Sequence, residues 1–297
     1  MSMGVLNNIA ATYAANNLSN TQASLQNVLT QLSSGSRINS GADDAAGLSL
    51  ANGLQANQTA LTQSASNVSL GVGLLQTADG ALSQVNNLLN RAVTLATEAG
   101  NGTLNGSQDA AANQEYQSIL AEINNIGAAT TYNGNAVFGA AGGVSIYTSD
   151  GTTAGTSTDT LTIAALSSAK VGDSGGTIAS GAGNTITYTA GTSVDLSGTD
   201  LTSSTNAQAA LTAIGNAISA VAGQRGYLGS QINTLNSMAS VETTQSENLA
   251  SASNSIMATD YTQATSELSK YQILTQTGIS ALAQANSTQQ AVTKLLQ

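Results

Sequence analysis

Apolar residues recur along this chain mostly at steps of three and four, the spacing that lines one face of a helix. Near the start, Leu18, Thr21, Leu25, Val28 and Leu32 follow that rule, and the run stops at Ser33-Ser34-Gly35-Ser36. This predicts a first helix with a heptad seam. The clearest period comes next: Leu54, Leu61, Val68, Leu75, Leu82, Leu89 and Ala96 lie seven apart throughout. Residues 42–99 therefore read as one long helix or two stacked ones, closed by the turn signature Gly100-Asn101-Gly102. From Leu54 to Ala96 alone the helical rise amounts to roughly 65 Å. Gly71, Gly73 and Gly80 lie inside this stretch. Each costs about 1 kcal/mol relative to Ala, so close helix contact or a local irregularity is expected there.

A third helix is predicted over about 108–129, with Ala112, Tyr116, Ile119, Ile123 and Ile126 on its apolar face. A fourth begins near Asn206 and keeps a seam from Leu211 through Val221, Arg225, Leu228 and Leu235 to Ile256. The last, from Tyr261 to Gln297, carries Leu268, Tyr271, Ile273, Leu274, Ile279, Leu282, Val292, Leu295 and Leu296 on more than one face. A helix apolar on several faces needs several neighbours, which implies oligomerisation. Between about 139 and 205 the texture changes to Gly, Ser and Thr with short alternating runs: Val144–Ile146, Leu161–Ile163, Thr185–Tyr188 and Val194–Leu196. Asp150-Gly151 and Gly175-Gly176 read as turns. The fold class expected is mainly α, with long helices, a coiled coil of the two terminal helices and a small β-rich insertion.

Composition narrows the function. Aromatic residues make up 3% of the 297 positions, so packing must run through Ala, Leu, Ile and Val. Proline is absent, which permits very long helices. Histidine and cysteine are absent too, which excludes disulfides and His- or thiolate-based metal sites. The net charge is −10, and Arg37, Arg91, Lys170, Arg225, Lys270 and Lys294 lie far apart, so no nucleic-acid partner is expected. The first residues lack a basic segment followed by an apolar core, and no stretch of about 18 apolar residues occurs. Neither a secretory signal nor a membrane span is expected.

Candidate chemistry is sparse. Serine nucleophiles lack a histidine base. Gly71-Val72-Gly73 has no lysine after it to bind phosphate. Asp43-Asp44 could form a hydrolytic dyad or bind a hard cation. Helix-end geometry favours a capping role instead, at the start of the second helix. Catalytic, cofactor and metal sites are all expected to be absent. Arg225 interrupts its seam next to Gln224. Either its stem packs while its head reaches water, or it is paired inside the fold. Among Asp43, Asp44, Glu115 and Glu122, the third-helix glutamates are the preferred partners.

Several motifs carry a resemblance. LSSGSRINSGADDAAGLSLANGL (Leu32 to Leu54) resembles the N-terminal signature of bacterial flagellins, and NRAVTLATEAGNGT (Asn90 to Thr103) the segment that follows. EYQSILAEINNIGAATTYNGNAVF (Glu115 to Phe138) is similar to the family's next helix and exit turn. QRGYLGSQIN (Gln224 to Asn233) and ELSKYQILTQTGISALAQAN (Glu267 to Asn286) are similar to its C-terminal half. Gln289 stands where the family often has Pro, and Ser255 where it often has Arg.

The resemblance implies a structural subunit of a secreted, extracellular flagellar filament, a hollow helical tube transmitting motor torque, and not an enzyme. It implies an inner core of residues 1–41 and 255–297, an outer helical body of 42–138 and 206–254, and a variable insertion at 139–205. Partners would be other flagellin subunits, the type III export apparatus, a flagellin chaperone, and cap and hook–filament junction proteins, with no membrane partner. Packing and assembly would rest on Leu18, Leu25, Leu32, Arg37, Asp43, Asp44, Gln224, Arg225, Leu228, Leu268, Ile273, Leu274, Leu282, Leu295 and Leu296. Arg91, Leu95 and Glu115 match positions that family members present to a vertebrate toll-like receptor. The alternatives are a hook–filament junction protein, or a filament-borne adhesin binding glycans through residues 139–205.

Overall fold

The computed structural model of the single chain describes residues 8–139, 144–148, 158–161, 163–172, 175–179, 185–189 and 193–295. Five helices carry the architecture: α1 (Ile9–Ser34), α2 (Ala45–Gly100), α3 (Gly106–Ala129), α4 (Ser204–Met257) and α5 (Tyr261–Leu295). Their ends are chemically specified. The Asn8 carboxamide accepts from Ala11 N to open α1, and Gly35, at φ 70°, closes it with an N–H bonded to Gln31 O. Asn105 and Gln108 form a reciprocal capping box on α3. Asp260 Oδ1 accepts from Thr262 N and Gln263 N to open α5.

The chain divides into two compact units. One comprises the residues up to Ala56 and those from Leu249; the other is Asn57–Asn248. In the first, α1 and α5 pair antiparallel, as expected of a terminal coiled coil. Asn8 Nδ2 donates to Ala285 O near one end, and Ser36 bridges Ala258 at the other. Leu18, Leu25 and Leu32 face α5 half-buried, with Val28 fully buried among them.

Helix α2 is one helix of 56 residues, not two stacked ones, and its residues from Asn57 belong to the second unit. Its period of seven is the buried seam: Leu61, Val68, Leu75, Leu82, Leu89 and Ala96 are all buried, as are Ser64, Ala78, Val85 and Ala92 between them and Ala99 beyond. On α4 the same period buries Ile214, Val221, Leu228 and Leu235, with Ala210, Ala217, Gln224 and Gln231 between them. The helices run antiparallel: Ser64 bonds Glu242, Gly71 lies beside Leu235, Asp79 pairs with Arg225, and Gly100 lies beside Ala207. A strict seven-residue repeat on both helices is the pattern of a left-handed supercoil, and Ala78, Ala92 and Ala99 of α2 with Ala207, Ala210 and Ala217 of α4 keep this stretch of the seam small. Tyr116, Ile119, Leu120 and Ile123 of α3 close the core.

Strands β1 (Thr131–Tyr132) and β2 (Asn135–Ala136) form a hairpin that the hydrophobic pattern did not indicate; its mark is Asn133-Gly134, with φ of 51° and 79°. A second sheet runs β3 (Val144–Tyr147), β4 (Thr158–Leu161), β5 (Gly175–Ala179) and β6 (Thr185–Thr189), in that order and antiparallel. Here the sequence reading needs correction. Gly175-Gly176 is not a turn but the start of β5, paired with Thr189 and Tyr188. Val194 forms only an isolated bridge with Val171. Asp150-Gly151 lies outside the described residues. Ile146, Leu161, Ile163, Leu166, Val171, Leu196 and Leu201 join the same apolar core as the helices.

The helix glycines meet the expected helix contact only in part, with Leu235 of α4 close to Gly71. A Cβ on Gly71 would overlap the Ile146 side chain, and one on Gly73 would meet Tyr132 Oη at 2.9 Å. Strand residues, more than a neighbouring helix, occupy the space these glycines leave. Gly80 has open space around it.

Candidate assembly site

Pairing uses one stripe of each terminal helix and leaves others in water. Ile9, Tyr13 and Leu29 of α1, and Tyr261, Ile273, Leu274 and Ile279 of α5, are exposed, Tyr13 to 68% and Ile273 to 63%. Leu268 and Leu282 are half-buried along the shared seam, where Leu18 covers Gly278 so closely that a Cβ there would lie 3.2 Å from it. Ile273 and Leu274 lie off that seam. The Leu295 side chain and Leu296 are outside the described residues.

The turn after α1 is tied to the junction of α4 and α5. Arg37 Nη2 donates to Ile256 O at 3.0 Å, the Arg37 amide to Met257 O at 2.6 Å, and Thr259 N to Gly35 O at 3.1 Å. The two bonds from Arg37 satisfy the last carbonyls of α4, and the exposed Arg37 places a cation where the helix dipole favours one. Ile38 is buried beside them.

The acidic pair divides into two separate tasks. Asp43 Oδ2 accepts from Asn39 N, Ser40 N and Ser40 Oγ, whereas Asp44 Oδ1 accepts from Gly47 N and caps α2. The capping reading describes Asp44 alone, Asp43 holding the turn before the helix, and a proton-sharing dyad describes neither. The hydrogen bond from the Asn39 amide, then those from Ser40, hold the Asp43 carboxyl below the usual carboxylate range. A depressed folded-state value means the contribution is present above the unfolded value and lost as pH falls through the folded one. Amide exchange at Asn39 and Ser40 is therefore expected to accelerate below the ordinary carboxylate range, and Asp43→Asn should remove that dependence. Exchange independent of pH, once intrinsic rates are divided out, would refute the assignment.

Arg225 is paired, but not with α3. Its Nε and Nη2 lie 2.7 and 3.2 Å from Asp79 Oδ1 and Oδ2 on α2. The expected partners are engaged elsewhere: Glu115 takes Arg91 at 2.7 and 3.0 Å, and Glu122 accepts from Asn125. The antiparallel register of α2 and α4 decides the match. The two side chains are 36% and 37% exposed, so the pair is not the dry ion pair the seam position suggested. Exposed pairs contribute about 0–1 kcal/mol. A double-mutant cycle of Arg225→Ala and Asp79→Ala should give a coupling within that range; several kcal/mol would show a desolvated pair.

Gln224 and Leu228 are buried in the core of the second unit, and so is Leu95, while Arg91 and Glu115 are exposed. The Gln224 Oε1 atom is buried with no hydrogen-bond partner among the described residues. The same residues contain no cluster of three or more His, Cys, Asp or Glu that could hold a metal, and no helix long and apolar enough to cross a membrane.

The bacterial flagellin N-terminal helical region matches residues 5–142, and the bacterial flagellin C-terminal helical region matches residues 211–296. A flagellin of Listeria monocytogenes is 38% identical over 90% of this chain and 90% of its own. A flagellin of Halalkalibacterium halodurans is 32% identical over 99% of this chain and 100% of its own. The crystal structure of Bacillus cereus flagellin is 26% identical, with TM-score 0.42 over 63% of this chain and 94% of that one. With both terminal regions matched in order, and that identity sustained over nine-tenths of each sequence, the chain belongs to the bacterial flagellins.

Proposed function

We propose that this chain, a structural subunit of the flagellar filament and not an enzyme, is exported unfolded and polymerises through its two terminal helices into a hollow tube that transmits motor torque. The observation that supports this is the exposed apolar surface of the α1–α5 pair: Ile9, Tyr13, Ile273 and Ile279 are each more than half exposed. Stripes of that kind are stable when a neighbour buries them.

In this reading residues 1–41 and 255–297 form the inner tube, and 42–138 with 206–254 the wall. Residues 139–205 are the variable part. Leu18, Leu25, Leu32, Leu268 and Leu282 hold the helix pair. Ile273 and Leu274, with Leu295 and Leu296, meet other subunits. Arg37, Asp43 and Asp44 hold the turn, while Gln224, Arg225 and Leu228 set the register of α2 and α4. The export apparatus, a chaperone on the C-terminal helix, the cap and the junction proteins are the further partners of this reading. A toll-like receptor would meet the exposed Arg91 and Glu115, whereas Leu95, expected as a third contact, is buried and offers it no surface.

The test is assembly of the purified chain. Seeded polymerisation should yield long filaments by electron microscopy, and amide protection over residues 9–34 and 261–295 should rise on assembly. A chain that only caps hook ends would favour the junction protein. One that assembles without gaining protection there would place the contacts elsewhere.

A further inference from the structure

We propose that Asn133-Gly134 is a spontaneous modification site, the one Asn-Gly pair of this chain that folding leaves open to deamidation. Asn-Gly is the reactive dipeptide because glycine has no Cβ to hinder its amide nitrogen, and asparagine is a thermolabile residue. In the reaction the deprotonated glycine nitrogen bonds to the asparagine Cγ. The Cγ–NH₂ bond breaks and ammonia leaves, giving a succinimide. Water then opens the ring at either carbonyl, to aspartate or isoaspartate. No oxidant or enzyme is needed.

The chain holds four such pairs, at Asn52, Asn101, Asn105 and Asn133, and folding treats them differently. Asn52-Gly53 lies inside α2, where the helical ladder occupies the glycine N–H. At Asn101-Gly102 the glycine N–H donates to Ala99 O, and Asn101 Nδ2 donates to Thr103 Oγ1. At Asn105-Gly106 the side-chain oxygen is pinned by Ser107 N and Gln108 N as the cap of α3. Asn133 and Gly134 are both exposed at the tip of the β1–β2 hairpin. Among the described residues, neither the Asn133 side chain nor the Gly134 N–H makes a hydrogen bond, and Gly134 has open space around it. Asn133 is also the one described non-glycine residue at positive φ.

The products alter the hairpin. Either acid adds a negative charge to a chain already at −10. Isoaspartate also lengthens the main chain of a two-residue turn, so the pairing Thr131↔Ala136 and Tyr132↔Asn135 cannot persist unchanged. Tyr132, seated over Gly73 of α2, is the side chain displaced.

The test is peptide mapping by mass spectrometry of the full chain aged in mildly alkaline buffer, folded and in urea. In the folded chain, Asn133 should lose its amide at least about tenfold faster than Asn52, Asn101 or Asn105, because those three must open locally first. In urea the four rates should converge. Asn133→Gln, which cyclises far more slowly, should leave the folded chain nearly unmodified over the same period. A rate at any of the other three pairs equal to that at Asn133 in the folded chain would overturn the proposal. So would protection of Asn133 by folding comparable to theirs.

Discussion

Replacing Ile273 and Ile279 together by Asp should abolish filament growth and leave the unfolding of the second unit unchanged. Both side chains lie on α5 off the seam that meets α1, at 63% and 54% exposure. In the monomer the substitutions therefore remove little packing, and surface changes of this kind stay within about 0.5 kcal/mol. In an assembly that covers them, each isoleucine contributes about 1.5–3 kcal/mol of burial. A carboxylate buried in its place costs several kcal/mol more unless it is paired. Every subunit contact repeats the loss, so the critical concentration rises beyond reach. Seeded light scattering reports growth, and circular dichroism melting of dilute monomer reports the second unit. Normal growth of the double variant would show that this face of α5 meets solvent in the filament.

Leu82→Ala should have the largest effect on the subunit itself. Leu82 is fully buried in the middle of the α2 seam, and truncating such a leucine costs about 2–5 kcal/mol through lost transfer energy and the cavity left behind. Leu70→Ala is the control: the same residue on the same helix, but 57% exposed, with an expected change within about 0.5 kcal/mol. Denaturant melts of both variants, followed at α-helical wavelengths, check the contrast. Comparable losses would mean that Leu70 is covered by a neighbour and that the α2 seam is wider than its period of seven implies.

The helices were legible because their information is local. A residue seven positions on returns to the same side of a helix, so Leu61 to Ala96 marked the buried stripe of α2 without reference to any partner. Stop signals such as Gly35 and Gly100, and caps such as Asp44, are chemistry of adjacent residues, and they lie where the helices begin and end. The capping role of Asp44 was reachable for the same reason; the role of Asp43, which holds the Asn39–Ser40 turn instead, was not. The flagellin motifs, being contiguous strings, were legible too.

What required the tertiary structure was every question of which residue meets which across the fold. The partner of Arg225 depends on the register between α2 and α4, and a helix pattern says nothing about register, so Asp79 could not be told from Glu115 or Glu122. Gly71 and Gly73 announced a close approach, but that Ile146 and Tyr132 fill it depends on strands distant in sequence. Gly175-Gly176 has the composition of a turn, yet pairing with β6 supplies the hydrogen bonds that draw it into a strand. On α5 the sequence shows apolar residues all round, and only the packing of α1 separates the inner stripe at Leu268 and Leu282 from the uncovered Ile273 and Ile279. Periodicity along one helix sets what can be buried, and contacts between elements decide what is.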